Sequence, residues 1–207
     1  MAEIPYGVLK RTACGNEEVC QRWCALQGAE GGLAVLNNGR YSYSAQNGEI
    51  RLTAANTSIY ADHYGQQQRD AYCRYMDQGE MQFCYALVPY AGDWCEAGLH
   101  RRAVLLHQPL PSVVETYHKG PLTPAFCGIR LASENIRLGT LKRAENNKGY
   151  ILRFAEAGGK PCSTNVELPL LNRILPLSFS AYEIKTLYIP DENHLPVREV
   201  LLTELDV

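Results

Sequence analysis

The stretch that most narrows what this chain can fold into is Leu138 to Pro161, LGTLKRAENNKGYILRFAEAGGKP. Two runs, Leu138 to Glu145 and Tyr150 to Glu156, flank the turn Asn146-Asn147-Lys148-Gly149. In the second run Ile151, Arg153 and Ala155 fall on one face, and Leu152, Phe154 and Glu156 on the other. That period of two belongs to a strand, and the Asn-Lys-Gly centre suits the positive φ of a tight connection. The stretch therefore predicts an antiparallel hairpin, closed by a second turn at Gly158-Gly159-Lys160-Pro161. Glu145, Arg153 and Glu156 read as charges on strand faces.

The rest of the chain repeats this grammar. Residues 3–12 read as an opening strand, and residues 13–31 as a loop that feeds a strand at Trp23 to Leu26. Leu33 to Leu36, Tyr41 to Ser44 and Glu49 to Ala55 follow as strands, separated by turns at Asn37-Asn38-Gly39 and Gln46-Asn47-Gly48. Closely spaced Asn-Gly turns predict a meander. Residues 56–80 are polar and aperiodic, which predicts a long loop. Met81 to Tyr90 alternates, with Phe83, Tyr85 and Leu87 on one side; Asp93 to His100 suggests a helical turn. Arg102 to Leu110 reads as another strand. Residues 111–128 hold three prolines and two glycines and mark a boundary between lobes. Beyond it, strands are expected at 129–133, in the hairpin, and at 165–170, 177–189 and 197–207. Ten to twelve short strands with no amphipathic helix predict an all-β fold, an antiparallel β-sandwich.

Composition sets outer limits. With 207 residues, 46% hydrophobic and 20% charged, this is an ordinary globular chain, long enough for one large domain or two small ones. A formal net charge of -2 gives no electrostatic reason to expect nucleic acid or an anionic membrane surface. No run reaches the ~20 apolar residues of a membrane span. The opening MAEIPYGVLK lacks the basic head and apolar core of a secretory leader, so the expected location is cytoplasmic. The eight cysteines are irregularly spaced and are expected to be reduced, mostly structural thiols. Cys20 and Cys24 form a Cys-x3-Cys pair, but no second pair completes a four-ligand zinc site.

Chemistry is sparse. No serine sits in a Gly-x-Ser-x-Gly elbow, and there is no Gly-rich phosphate loop. The polar segment holding Asp62, His63, Asp70, Asp77 and Glu80 is the nearest thing to an acid-base or metal site, although adjacent side chains on an extended segment point apart. The four histidines at 100, 107, 118 and 194 are isolated and read as surface or hydrogen-bonded residues. Tyr41 and Tyr43 share a strand face, with Tyr60 and Tyr64 further on; a sugar-stacking platform and ordinary sheet packing both account for them.

Seven stretches in order resemble the C-terminal β region of the family 38 glycoside hydrolases, the α-mannosidases. They are AEIPYGVLKR (2–11), the 18–23 stretch, GLAVLNNGRYSYS (32–44), SIYADHYG (58–65), YMDQGEMQFCYALVPY (75–90), LKRAENNKGYILRFAEAGGKP of the hairpin (141–161) and AYEIKTL (181–187). In that pattern Met81 stands where relatives have histidine, and 54–58 lacks their arginine and proline.

The resemblance implies a supersandwich-like portion over 1–115 and a smaller β module over 116–207. It implies that the nucleophile, the acid/base carboxylate and the zinc ligands belong to an N-terminal barrel absent from this sequence. Met1 ahead of Ala2 then reads as the start of an expressed fragment, without catalytic residues, metal or cofactor of its own and inactive alone. Zinc is expected in the missing barrel. Its partners would be the barrel and helical domains of the same enzyme and α-mannoside glycans, and an exposed β edge would favour self-association. Arg40, Tyr41, Asp62 and His63 are the residues expected to reach a sugar in the parent enzyme. Two further readings stand beside this one: a stand-alone carbohydrate-binding or interaction module, and a metal-dependent hydrolase using Asp62, His63, Asp77 and Glu80.

Overall fold

The structure, a computed structural model, describes residues 1–58, 75–121 and 123–204. Among them the chain is nearly all strand, and every strand pairing is antiparallel. The expected opening strand is two short ones, β1 (Ala2–Ile4) and β2 (Gly7–Leu9), because Pro5 and Tyr6 turn the chain back, with Tyr6 at φ 58°. Residues expected to form a loop instead make β3 (Cys14–Val19), which leads to β4 (Trp23–Gln27) and β5 (Gly31–Asn37). The chain then forms β6 (Ser42–Gln46), β7 (Glu49–Leu52) and, past the long polar segment, β8 (Tyr85–Ala91).

These strands do not make one meander. One sheet has the order β2-β1-β4-β5-β8 and a second the order β3-β6-β7. The chain changes sheets at Asn37, which is fully buried. The Asn37 Oδ1 accepts from the Gly39 and Arg40 amides, an Asx turn that sends the backbone out of the first sheet. Both faces of β4 and β5 are buried. Cys24 and Val35 join Ala2, Cys20 and Tyr43 between the sheets. Trp23, Ala25, Ala34 and Leu36 point the other way, toward Trp94, Leu99 and Ala103. Burial on both faces explains why these strands read as continuous apolar runs.

The layer beyond that face is a helix, α1 (Leu99–His107), where a strand over 102–110 was expected. The run Ala103-Val104-Leu105-Leu106 is apolar enough for either. Leu99, Ala103 and Leu106 recur at helical spacing, and all three pack on the same cluster, so burial against the sheet selects the helix.

After the proline-rich segment come β9 (Arg130–Leu131), β10 (Ile136–Arg143), β11 (Gly149–Glu156) and β12 (Cys162–Leu168). A 3-10 turn at Pro169–Leu171 leads into β13 (Arg173–Phe179), β14 (Ile184–Pro190) and β15 (Arg198–Val200). The expected single strand over 177–189 is thus two, divided at Tyr182, which lies at φ 59°. The sheet β10-β11-β14-β15 faces the sheet β13-β12-β9 across a core of Leu152, Phe154, Val166, Leu168, Leu187 and Ile189 with their neighbours. The hairpin forms as the sequence indicates: Arg143 opposes Tyr150, and Asn147 takes the left-handed turn position at φ 57°. Its register shifts at Gly139, a bulge against which the Tyr6 ring lies; a Cβ there would stand 2.7 Å from Tyr6 Cε1.

Glu156 is not a surface charge. It is fully buried, and its carboxylate accepts from the backbone amides of Gly158, Gly159 and Tyr182. Those three bonds fix the turn after β11 to the turn before β14. The thiols of Cys14, Cys20, Cys24, Cys84, Cys95, Cys127 and Cys162 are free. Among the described residues, no helix is long and apolar enough to cross a membrane.

Candidate functional site

The densest polar arrangement surrounds Glu3, whose position in β1 puts its side chain beneath the end of α1. Only 1% of Glu3 is exposed. Arg22 grips the carboxylate as a fork, Nε donating to Oε2 at 3.0 Å and Nη2 to Oε1 at 2.7 Å, and the Arg22 backbone amide adds a third bond at 3.1 Å. His100 Nδ1, from the first turn of α1, stands 2.7 Å from Oε1. Arg137, from β10, donates Nη1 to the same His100 nitrogen at 2.7 Å and lies 3.6 Å from Oε1. Four residues from segments remote in sequence, β1, the bend before β4, α1 and β10, meet here.

The electrostatics follow from burial and partners. Burial opposes ionisation of Glu3, but the bonds from His100 and Arg22 outweigh it and hold the carboxyl at about 2. A carboxyl that acidic is a fixed anion near neutral pH, not a proton donor. Burial lowers the His100 pKa; Glu3 opposes that shift and Arg137 adds to it. A neutral imidazole nitrogen either donates or accepts, and Arg137 can only donate. One proton on Nδ1 therefore serves Glu3, and its absence serves Arg137. Burial also lowers Arg137, to about 10.

A cleft of about 430 Å³ opens beside this cluster. Arg22, His100, Arg137, Tyr6, Tyr41 and His107 are among its lining residues. Gln21 and Gln108 add side-chain amides.

The residues expected to meet a sugar divide. Tyr41 lines the cleft and is 59% exposed. Arg40 does not line it: its guanidinium stacks 4.7 Å from the centre of the Phe83 ring. Consecutive residues on an extended segment diverge in this way. Asp62, His63 and Tyr60 lie outside the described residues. Asp77 and Glu80 are exposed. Among the described residues, no three His, Cys, Asp or Glu groups come together to hold a metal ion. Cys20 and Cys24 instead share an apolar cluster, where a hydrogen bond between the thiols lowers Cys20 and raises Cys24. Sequence reading missed Glu3, Arg22 and Arg137, and it treated His100 as isolated. No local spacing marks residues up to 97 positions apart.

The fold and the cleft define a class first: a β-rich, antiparallel domain whose buried ions bind its parts together. Residues 1–64 match the model of the glycosyl hydrolases family 38 C-terminal domain. α-Mannosidase 2C1 of Mus musculus is 28% identical over 182 residues, covering 81% of this chain and 16% of that protein. The Homo sapiens α-mannosidase 2C1 is 27% identical over 186 residues, 84% of this chain and 17% of its own length. α-Mannosidase G of Dictyostelium discoideum is 25% identical over 193 residues, 86% of this chain and 16% of that protein. The chain thus spans about a sixth of the length of these curated relatives. In fold it is similar to an α-mannosidase from Enterococcus faecalis V583, with TM-score 0.72 and 17% identity over 91% of this chain and 24% of that one. Residues 1–64 thus resemble the family 38 C-terminal domain, and over more than four-fifths of its length the chain is similar in sequence to α-mannosidases.

Proposed function

We propose that this chain is the non-catalytic C-terminal β portion of an enzyme acting on α-mannosides. It would pack against the other domains of that enzyme and help shape a sugar site built elsewhere. The observation that carries this reading is the similarity to α-mannosidases over more than four-fifths of the chain. The buried carboxylates in view agree with a structural role. Glu3 is locked to Arg22 and His100, and Glu156 is spent on three backbone amides. Exposed apolar side chains supply a surface for such packing: Tyr85 and Leu87 on one side of β8, and Val113, Val114 and Tyr117 in the proline-rich segment. Zinc and the carboxylate pair of retaining hydrolysis would then reside in the other domains. The test is hydrolysis of 4-nitrophenyl α-mannoside by the purified 207-residue chain. No turnover is expected; turnover that survives repurification would overturn the proposal.

A second reading, a carbohydrate-binding module, draws on the exposure of Tyr41 at the cleft. It requires saturable calorimetric binding of mannose or mannobiose that Tyr41→Ala abolishes.

A further inference from the structure

Two halves of the molecule meet beside Glu3. Residues 2–91 supply the sheets β2-β1-β4-β5-β8 and β3-β6-β7, on which α1 packs, and residues 130–200 supply the other two sheets. Among the described residues, no strand pairing joins one half to the other. Side chains make the seam. The Tyr6 ring lies at Gly139, and the Cys95 thiol donates to Asn135 Oδ1 at 3.6 Å. Arg137 reaches across to three groups: it lies 5.8 Å from the centre of the Trp94 ring and 3.6 Å from Glu3 Oε1, and donates to His100 Nδ1 at 2.7 Å. His100 and Arg137 line both the cleft described above and a second one, of about 660 Å³, bordered by α1, β9 and β10.

His100 Nδ1 serves two neighbours with opposite needs. It stands 2.7 Å from Glu3 Oε1, which as a carboxylate only accepts, and 2.7 Å from Arg137 Nη1, which only donates. Arg22 Nη2 approaches it as well, at 3.4 Å. With Nδ1 bare, Arg137 has its acceptor, and Glu3 keeps three bonds from Arg22. With Nδ1 protonated, the proton goes to Glu3 and Arg137 faces an N–H. A neutral ring can leave Nδ1 bare; an imidazolium carries a proton on both nitrogens. It is also a third cation, with Arg22 and Arg137, around one carboxylate. The other ionisable groups nearby supply no surplus of negative charge. Tyr6, Tyr41 and His107 line the first cleft; Arg101 and Arg130 stand against Glu134 in the second, with the thiols of Cys95 and Cys127. Glu156 acts on Arg137 from β11.

We infer that His100 is a proton-operated clasp: neutral, it holds Arg137 and closes the seam between the two halves; protonated, it turns its proton to Glu3, releases Arg137 and lets the halves separate while each stays folded. The step adds one proton to the ring and breaks one hydrogen bond. Each half keeps a core of its own, Trp23, Leu36 and Leu99 in the first and Leu152, Phe154 and Ile189 in the second, so opening the seam does not require unfolding. Burial lowers the His100 pKa in the closed form, Arg137 adds to that shift and Glu3 opposes it. A group shifted in this direction stabilises the closed form fully above its ordinary value, about 6.5, and ceases to do so as the pH falls through the closed-form value. The seam therefore opens in mild acid, before Glu3 is protonated at about 2.

The experiment is small-angle X-ray scattering of the 207-residue chain, extrapolated to zero concentration, from about pH 7.5 to about pH 5, with far-UV circular dichroism recorded alongside. The radius of gyration, roughly 17 Å for a compact chain of this length, should rise by about 2 Å on acidification while the dichroism is unchanged. His100→Gln keeps an amide oxygen for Arg137 but takes up no proton, so its radius should stay at the closed value throughout. Should that variant fail to fold, Arg137→Gln decides: it should be expanded already at about pH 7.5 and change no further in acid. The inference is overturned if the native chain keeps its radius down to about pH 5, or if its expansion comes with loss of the sheet signal. It is equally overturned if either folded variant responds to acid as the native chain does, or if Arg137→Gln is compact near neutral pH.

Discussion

Glu3 shows how much can rest on one side chain. Removing one member of a buried ion pair leaves the others uncompensated, at a cost of roughly 3–5 kcal/mol. Glu3→Gln should therefore lower the unfolding free energy by about 3 kcal/mol in urea titration. The pH dependence has a definite sign. The folded carboxyl ionises at about 2, below the ordinary glutamate value, so its stabilisation is complete above that ordinary value and is lost as the pH falls toward 2. His100, also lowered, acts in the same direction: its contribution is present above the ordinary histidine value and is lost as the pH falls through the folded one. Urea midpoints should fall steeply from roughly pH 5 to pH 2.5 in the native protein, and less steeply in Glu3→Gln. Equal slopes would mean that another carboxylate governs acid unfolding. None of this could be read from residues 2–4, where Glu3 stands as one polar residue in a strand pattern.

At the scale of elements, the hairpin and the helix make a contrast. The hairpin was legible because its information is local: period-two alternation and an Asn-rich turn determine register together. Gly149 adds a reason the turn sequence cannot show. A Cβ there would stand 2.5 Å from the Ile189 carbonyl oxygen and 2.8 Å from the Tyr188 ring. Gly149→Ala should cost about 2 kcal/mol by overpacking against β14, measured as a lowered urea midpoint with unchanged slope. The helix was misread because a nine-residue element rich in Leu and Arg has no local feature that excludes a strand. Its identity rests on Leu99 and Ala103, both fully buried against β4 and β5. Leu99→Ala should cost about 3 kcal/mol, within the range for buried leucines. A change under about 0.5 kcal/mol would show that this contact does not hold the helix to the sheet.

At the scale of the molecule, the edge strand β8 presents Tyr85 and Leu87, about 60% exposed, on one side. An exposed apolar edge pairs readily with another chain. Sedimentation should show the purified chain associating as its concentration rises, and Leu87→Lys should shift it toward monomer. A monomer at every concentration would argue that this face needs no cover. The same geometry agrees with the length comparison, in which this chain spans about a sixth of its curated relatives.

The sequence by itself determined the class of structure, antiparallel and strand-rich, together with most strand positions and the similarity to family 38. Those properties reside in alternation, turn residues and ordered short motifs, which act over a few positions at a time. Tertiary structure alone decided the change of sheet at Asn37, the helix at 99–107, the burial of Glu156 and the convergence of Glu3, Arg22, His100 and Arg137. Each depends on which distant surface a residue is buried against, and burial is the one property a local pattern does not carry.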